Sequence, residues 1–253
     1  MRVAAVIPAR LQSSRLANKI LLDISGKTMI QRVYDQVVKT KNLSGIFIAT
    51  DNTEIADVCA GFTDSIIMTS SSHRSGTDRI TEAIDHIDCE GVINVQGDEP
   101  LVDPKLIDDL ASGLKKGNAA VLSAMHRISE MSDLIDPSNV KVTVDEQNMA
   151  LYFSRSVIPF PRNDWDTLKD KLIIPDEYQF YKHIGIYGYT TDLLKKVSAW
   201  SPTPLEKTEQ LEQLRILEHG YKIQMLLTNY ESIGVDTVED LEKVRQIVSK
   251  NEK

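Results

Sequence analysis

Residues 6–30 read VIPARLQSSRLANKILLDISGKTMI. The apolar run RVAAVI at 2–7 closes at Pro8, and a short continuous run of this kind marks a strand buried on both faces. A polar stretch follows that carries three cations, Arg10, Arg15 and Lys19, with two serines between the arginines. Met29, Ile30, Val33 and Val37 then recur at helical spacing over 28–40, so the order is strand, loop, helix. A fold that gathers three cations at its first strand exit has to hold them near one another, which demands a local reason.

Outward from this unit the alternation continues. GIFIATD at 45–51 reads as a buried strand, TEIADVCA as a short helix, and SIIMT at 65–69 as a third strand. A helix from Gly76 carries the apolar stripe Ile80, Ala83, Ile84 and Ile87, and GVINVQGDEP from Gly91 is a strand with a polar end. Alternating β and α patterns predict a three-layer α/β fold on a mostly parallel sheet, with ligands outside the carboxyl ends of the strands.

Beyond about residue 118 the pattern changes. AAVLSAMHRI and NVKVTVDEQNMALYFSRS are strand-like, and DEQN at 145–148 is a turn, so an antiparallel insertion is expected in a mixed sheet. Residues 156–181, with three prolines and little periodicity, read as an extended loop or arm. KHIGIYGYT is a strand, 203–219 a single capped helix ended by Gly220, and YKIQMLL a strand. IGVD at 233–236 and TVEDLEKVRQIV close the chain as strand, turn and helix. The expectation is one domain over 1–253 with a subregion at about 126–205.

Composition narrows the function classes. At 253 residues, 42% hydrophobic and 26% charged, the chain is ordinary globular protein without an apolar run that could span a bilayer. The opening run is too short for a secretory core, and two cysteines, Cys59 and Cys89, build no disulfide framework; both point to the cytoplasm. A formal net charge of -8 argues against nucleic-acid binding, which needs an excess of Lys and Arg to neutralise phosphates.

Four strand exits are unusually polar: PARLQSSR, ATDN, VQGDEP and GVDT. The topology gathers them at one sheet edge, where the first supplies cations and two others supply Asp98 and Asp236. That inventory suits a polyphosphate with a divalent metal, guanidinium and ammonium groups facing phosphate oxygens and carboxylates facing Mg²⁺. The loop is neither a Walker A nor a GxGxxG sequence, so side chains must take over work that backbone amides do there. Plainer readings stand beside this one: a solvated basic loop, Asp98 as a turn former after Gly97, and Asp236 as the cap of the last helix. Ser75 with Asp78 is equally a capping box or part of a hydroxyl-rich loop reading a nucleobase. Along 203–219, Glu209 and Gln213 fall one turn apart within an apolar arc, awaiting either a ligand or a nearby salt-bridge partner. His183, Gly185 and Tyr187 share one strand face, a sugar-facing surface or an ordinary structural one.

Taken in order from Val6 to about Val244, IPARLQSSRLANKILLDISGKTMIQRV, ATDN, HRSGTDRI, VINVQGDEPLV, ALYFSRSVIPF, KHIGIYGY, PLEKTEQLEQLRILEHGYKI and GVDTVEDLEKV resemble the 3-deoxy-manno-octulosonate cytidylyltransferase (CMP-Kdo synthetase) family. The resemblance implies a nucleotide-diphospho-sugar transferase (Rossmann-like) fold and a homodimer built partly by the antiparallel insertion. It implies Mg²⁺-dependent transfer of CMP from CTP to the anomeric hydroxyl of an acidic eight-carbon sugar, with pyrophosphate released and the product used in lipopolysaccharide assembly. By position it implies that Arg10, Arg15 and Lys19 hold the triphosphate, with Arg10, Lys19 and Asp98 closest to the chemistry. Ser75 and Gly76 would lie near the cytosine, and Asp98 and Asp236 would bind Mg²⁺. Gln96, Arg155, His183, Tyr187, Glu209 and Gln213 would contact the sugar, Arg155 meeting its carboxylate.

One departure stands out. Where the family usually has proline, glycine, lysine and proline, this chain has Ala17, Asn18, Lys19 and Ile20, which implies a looser loop or a different sugar such as the 8-amino-8-deoxy analogue. Two further readings remain: a sialic-acid cytidylyltransferase, which shares the fold, and a non-catalytic nucleotide-binding protein, which would be expected to lack one metal carboxylate.

Overall fold

A strand covered on both faces needs apolar side chains throughout, and β1 (Val3–Ala9) has them, every residue but Pro8 being buried. The computed structural model describes residues 1–11, 16–73, 75–231 and 233–251. After β1 come β2 (Asp23–Ile24), β3 (Lys27–Thr28), α1 (Met29–Val37), β4 (Gly45–Thr50), α2 (Thr53–Cys59), β5 (Ile66–Met68), α3 (Gly76–Ala83), β6 (Gly91–Asn94) and α4 (Pro104–Lys116). The middle holds β7 (Val121–Arg127), α5 (Met131–Ile135), β8 (Lys141–Val144), β9 (Ala150–Ser154), α6 (Trp165–Leu168) and β10 (Tyr181–Thr190). The chain continues with α7 (Thr191–Ala199), α8 (Pro204–Glu209), α9 (Gln213–Glu218), β11 (Gln224–Thr228) and α10 (Val238–Asn251). The described residues divide into two compact units, one from Met1–Asn118, Ile186–Ser198 and Glu231–Lys253, the other from Ala119–Gly185 and Ala199–Tyr230.

In the first unit the strand order is β10, β6, β1, β4, β5. β1 runs parallel to β4 from Ala4↔Gly45 to Ala9↔Thr50 and parallel to β6 from Val3↔Gly91, while the end of β10 is antiparallel to β6. Parallel neighbours need crossovers, and α1, α2 and α3 follow strands for that reason. Each starts on a side-chain cap: Thr28, Asn52 and Ser75 accept backbone N–H groups of Gln31, Ile55 and Asp78. α4 lies where no helix was expected; its signals are Asp103 as cap, Pro104 in the first turn and Gly117 at φ 75° beyond its end. Residues 233–236, expected as a strand, form none; Val235 instead donates its N–H to the Asp98 carbonyl at 3.0 Å. Val235 is fully buried with Ile24, Met29, Leu241, Val244 and Val248, so α10 is held by the same apolar cluster that seats the start of α1. Burying each such side chain contributes about 1.5–3 kcal/mol before entropy is counted.

In the second unit β7 and β11 are parallel, and β8 and β9 form the expected antiparallel hairpin. Its turn is pinned by Asp145, whose Oδ1 accepts the Gln147 and Met149 N–H groups at 2.9 and 2.8 Å, with Asn148 at φ 60°. The stretch 156–181 is largely irregular, as expected, with the single turn of α6 inside it.

The predicted single helix over 203–219 is corrected by the structure: α8 ends at Glu209, Gln210 takes the left-handed conformation at φ 56°, and α9 begins at Gln213. A buried ion pair explains the break. Arg215 Nε donates to Glu206 Oε2 at 2.8 Å, and folding α9 back toward α8 is what brings the two together. An unbroken helix would set residues nine apart about two and a half turns apart along the axis.

Candidate nucleotide and metal site

The exits of β1 and β6, the start of α3 and the segment before α10 surround a cavity of about 330 Å³ in the first unit. Arg10, Lys19, Ser75, Gly76, Gln96, Asp98 and Asp236 line it, so the sheet edge gathers most of the residues expected there. Arg15 lies outside the described residues. Arg10 is exposed at the strand exit, beyond the last buried residue, Ala9. Ser75 caps α3, its hydroxyl accepting the Asp78 N–H at 3.1 Å. Gly97 is required by space, since a Cβ there would stand 2.9 Å from the Pro8 carbonyl oxygen and 3.0 Å from Ile20 Cδ1.

Lys19 is the centre of the constellation. Its Nζ lies 2.6 Å from Asp98 Oδ2 and 2.9 Å from Asp236 Oδ1, so residues 79 and 217 positions away converge on one ammonium. The lysine side chain is only 11% exposed, against 32% for Asp98 and 43% for Asp236. Burial works against its charge, but Asp98 foremost, together with Asp236, holds the ammonium above the usual lysine range. The preceding Asn18 has φ 51°, a left-handed conformation that glycine or asparagine adopts at low cost, so asparagine suits the backbone path here.

Asp236 makes this contact and is not the helix cap. Thr237 takes that part, its Oγ1 accepting the Asp240 N–H at 3.2 Å while Asp240 accepts the N–H groups of Asp236 and Thr237. Among the described residues no cluster of three or more His, Cys, Asp or Glu side chains could hold a metal. Two carboxylates converging on a cation do fit Mg²⁺, which is usually held by one or two carboxylates with phosphate oxygens and water completing its shell.

Two contributions at the cavity wall were not singled out from sequence. Arg79, almost fully buried, pairs with Asp51 Oδ2 at 3.0 Å and donates to Thr69, fastening α3 to the exits of β4 and β5. His73 Nε2 pairs with Glu82, which also accepts the Ser70 N–H at 2.9 Å; that amide first, then His73, holds the carboxyl below its usual range. The signals were present in ATDN and HRSGTDR, but nothing in the linear order says that Asp51 and Arg79 meet.

Of the six residues implied for the sugar, Gln96 and Tyr187 belong to the first unit and Arg155, His183, Glu209 and Gln213 to the second. Gln96 lines the cavity, and Tyr187 stacks on Tyr189 with ring centroids 5.6 Å apart. Glu209 is bound by β9: it accepts the Ser154 hydroxyl at 2.6 Å and the Arg155 N–H at 3.0 Å, while its carbonyl accepts from Arg155 Nε at 2.9 Å. The break at Gln210 separates it from Gln213, which is buried, so the shared helical face expected for the two does not form. His183 bonds the Ser123 hydroxyl at 2.9 Å and meets Phe153 edge-on, and burial pushes its imidazole down to about 3, leaving it neutral.

Residues 4–223 match the cytidylyltransferase family. The chain is 43% identical over 251 residues to a 3-deoxy-manno-octulosonate cytidylyltransferase of Geotalea uraniireducens, covering 99% of this chain and 100% of that one. It is 43% identical over 257 residues to the corresponding protein of Haemophilus influenzae, again covering 99% of this chain and all of the relative. A solved structure of CMP:2-keto-3-deoxy-manno-octonic acid synthetase complexed with CTP superposes with a TM-score of 0.91 at 37% identity, over 99% of this chain and 100% of that chain. The mixed, mostly parallel α/β architecture is the same in both.

Proposed function

Because the chain belongs to the 3-deoxy-manno-octulosonate cytidylyltransferase family, we propose that it transfers CMP from CTP to the anomeric hydroxyl of 3-deoxy-manno-octulosonate, releasing pyrophosphate for lipopolysaccharide biosynthesis. The observation that carries the reading is the convergence of Asp98, Asp236 and Lys19 on one point of the cavity beside Arg10.

Mg²⁺, when bound at Asp98 and Asp236, would supply a Lewis acid that lowers the pKa of the attacking hydroxyl and offsets phosphate charge. Arg10, Arg15 and Lys19 would oppose the negative charge that builds on the triphosphate as pyrophosphate leaves. Gly97 lets the main chain pass close to β1, where a side chain would push Pro8 and Ile20 outward. Ser75 and Gly76 are assigned to the cytosine end. The sugar contacts belong to Gln96, Arg155, His183, Tyr187, Glu209 and Gln213, with Arg155 opposite the carboxylate. Neutral His183 would serve as a hydrogen-bonding or packing group there rather than as a cation.

A pyrophosphate-release assay with CTP, Mg²⁺ and separate sugars tests the reading. Release is expected with 3-deoxy-manno-octulosonate; release confined to sialic acid or to the 8-amino-8-deoxy sugar would overturn the substrate assignment, and CTP binding without any sugar-dependent release would mark a non-catalytic binder.

The same reading includes a cytoplasmic homodimer. No helix among the described residues is long and apolar enough to cross a membrane. The second unit exposes Ile135, Leu151, Phe160, Leu172 and Ile173, Leu172 at 86%, large apolar side chains of the kind that association would cover. Sedimentation at twice the chain's 28.4 kDa is expected, and a single-chain mass across micromolar concentrations would remove the dimer.

A further inference from the structure

Lys19 stands where a cation is wanted, and it is covalently part of the protein. Its ammonium lies within 2.9 Å of a carboxylate oxygen from each of Asp98 and Asp236, closer to both than to any other acidic side chain recorded for it. Two carboxylates aimed at one point repel each other unless something positive lies between them, and in this protein the lysine does that. The lysine is mostly buried while both acids are partly exposed, and all three line the cavity.

We propose that Lys19 is the resident counter-ion of the Asp98–Asp236 pair, and that a divalent cation gains both carboxylates only when the ammonium leaves them for a nucleotide phosphate. This rests on the metal reading of the two aspartates given above. Metal and nucleotide would then bind in a coupled way: the metal is disfavoured while the ammonium is in place, and the phosphate offers the ammonium somewhere to go. Lys19 lies in a short turn directly after Asn18, which is in the left-handed region at φ 51°. The gain is order: the carboxylates stay neutralised, and a metal ion is not taken up in advance of the nucleotide that it must bridge.

Mn²⁺ binding to the full chain, followed by the loss of the free-ion EPR signal, tests this without any turnover. Without nucleotide, Lys19→Met is expected to bind Mn²⁺ about tenfold more tightly than the unsubstituted protein, because the pair's charge is no longer offset. CTP should tighten Mn²⁺ binding to the unsubstituted protein by a larger factor than to Lys19→Met. Lys19→Arg, which keeps the positive charge, should stay weak without nucleotide, and Lys19→Gln replaces the methionine variant should circular dichroism show that variant unfolded. A Lys19→Met/Asp98→Asn protein supplies the baseline for unrelated sites. Equal nucleotide-free Mn²⁺ affinity in the lysine and methionine proteins, or equal tightening by CTP, overturns the proposal. Absence of any Asp98-dependent Mn²⁺ binding even with CTP overturns the metal reading on which it stands.

Discussion

Asp98→Asn lowers CMP transfer by about 10³-fold or more at saturating Mg²⁺ while leaving the melting temperature nearly unchanged. The substitution keeps the shape and one oxygen of the side chain but removes the charge that a hard divalent cation needs. Little of the fold depends on that charge. The structural contact at this position is the Asp98 carbonyl, which accepts the Val235 N–H and which asparagine retains. The ion pair with Lys19 joins a lysine to an acid one-third exposed, and pairs of this kind contribute about 0–1 kcal/mol. Pyrophosphate release and thermal unfolding on the same preparation check both halves. Activity within tenfold of the unsubstituted protein would remove Asp98 from the metal site.

The second large effect is on stability and lies away from the cavity. Glu206 and Arg215 are 12% and 10% exposed and form a two-pronged pair, with the Glu206 carboxylate also accepting the Thr203 N–H at 3.1 Å. Arg215→Met strands a buried carboxylate and is expected to cost about 3–5 kcal/mol in denaturant unfolding. Adding Glu206→Gln to it should recover much of that loss, because neither charge is then left uncompensated. Additive losses would show that the pair does not act as a unit. Burial by itself raises the Glu206 pKa, but Arg215 and the Thr203 amide outweigh it and hold the carboxyl below its usual range. A depressed carboxyl pKa stabilises the fold above the unfolded value, and the contribution is lost as pH falls through that value toward the lower folded one. The stability difference between the native and doubly substituted proteins should therefore be steady near neutral pH and shrink in acid.

The helix break that this pair accompanies shows where the sequence ceases to be readable. Residues 204–218 contain strong helix formers and neither an internal glycine nor a proline after Pro204, so local propensity favours one continuous helix. Gln210 turns left-handed because tertiary partners decide it: Glu206 closes on Arg215, and Glu209 is held by Ser154 and Arg155 from β9. No periodicity records bonds to residues some 55 positions away. The first unit was far more legible, because a strand buried on both faces declares itself by an unbroken apolar run and a crossover helix by its cap and stripe. α4 is the exception in that unit: no helix was expected there, although Asp103, Pro104 and Gly117 carry its start and stop signals.

The candidate site lies between these cases. Its edge could be placed from topology, which puts Arg10, Asp98 and Asp236 at the exits of their segments. The direction of Lys19 could not, because a cation between a phosphate and two carboxylates goes to whichever is present and nearest. The buried Arg79–Asp51 pair escaped notice because each residue, alone, looks like an ordinary surface charge.

Asp236 has one more consequence, and it concerns time. It is held in place by Val235 and by the apolar side of α10, 217 residues after Lys19. A ribosome that has already released the sheet edge, the basic loop and Asp98 has still made only one of the two carboxylates. A chain stalled or clipped before Ile233 would lack Asp236 and α10, and Lys19 would keep Asp98 alone of its two carboxylate partners.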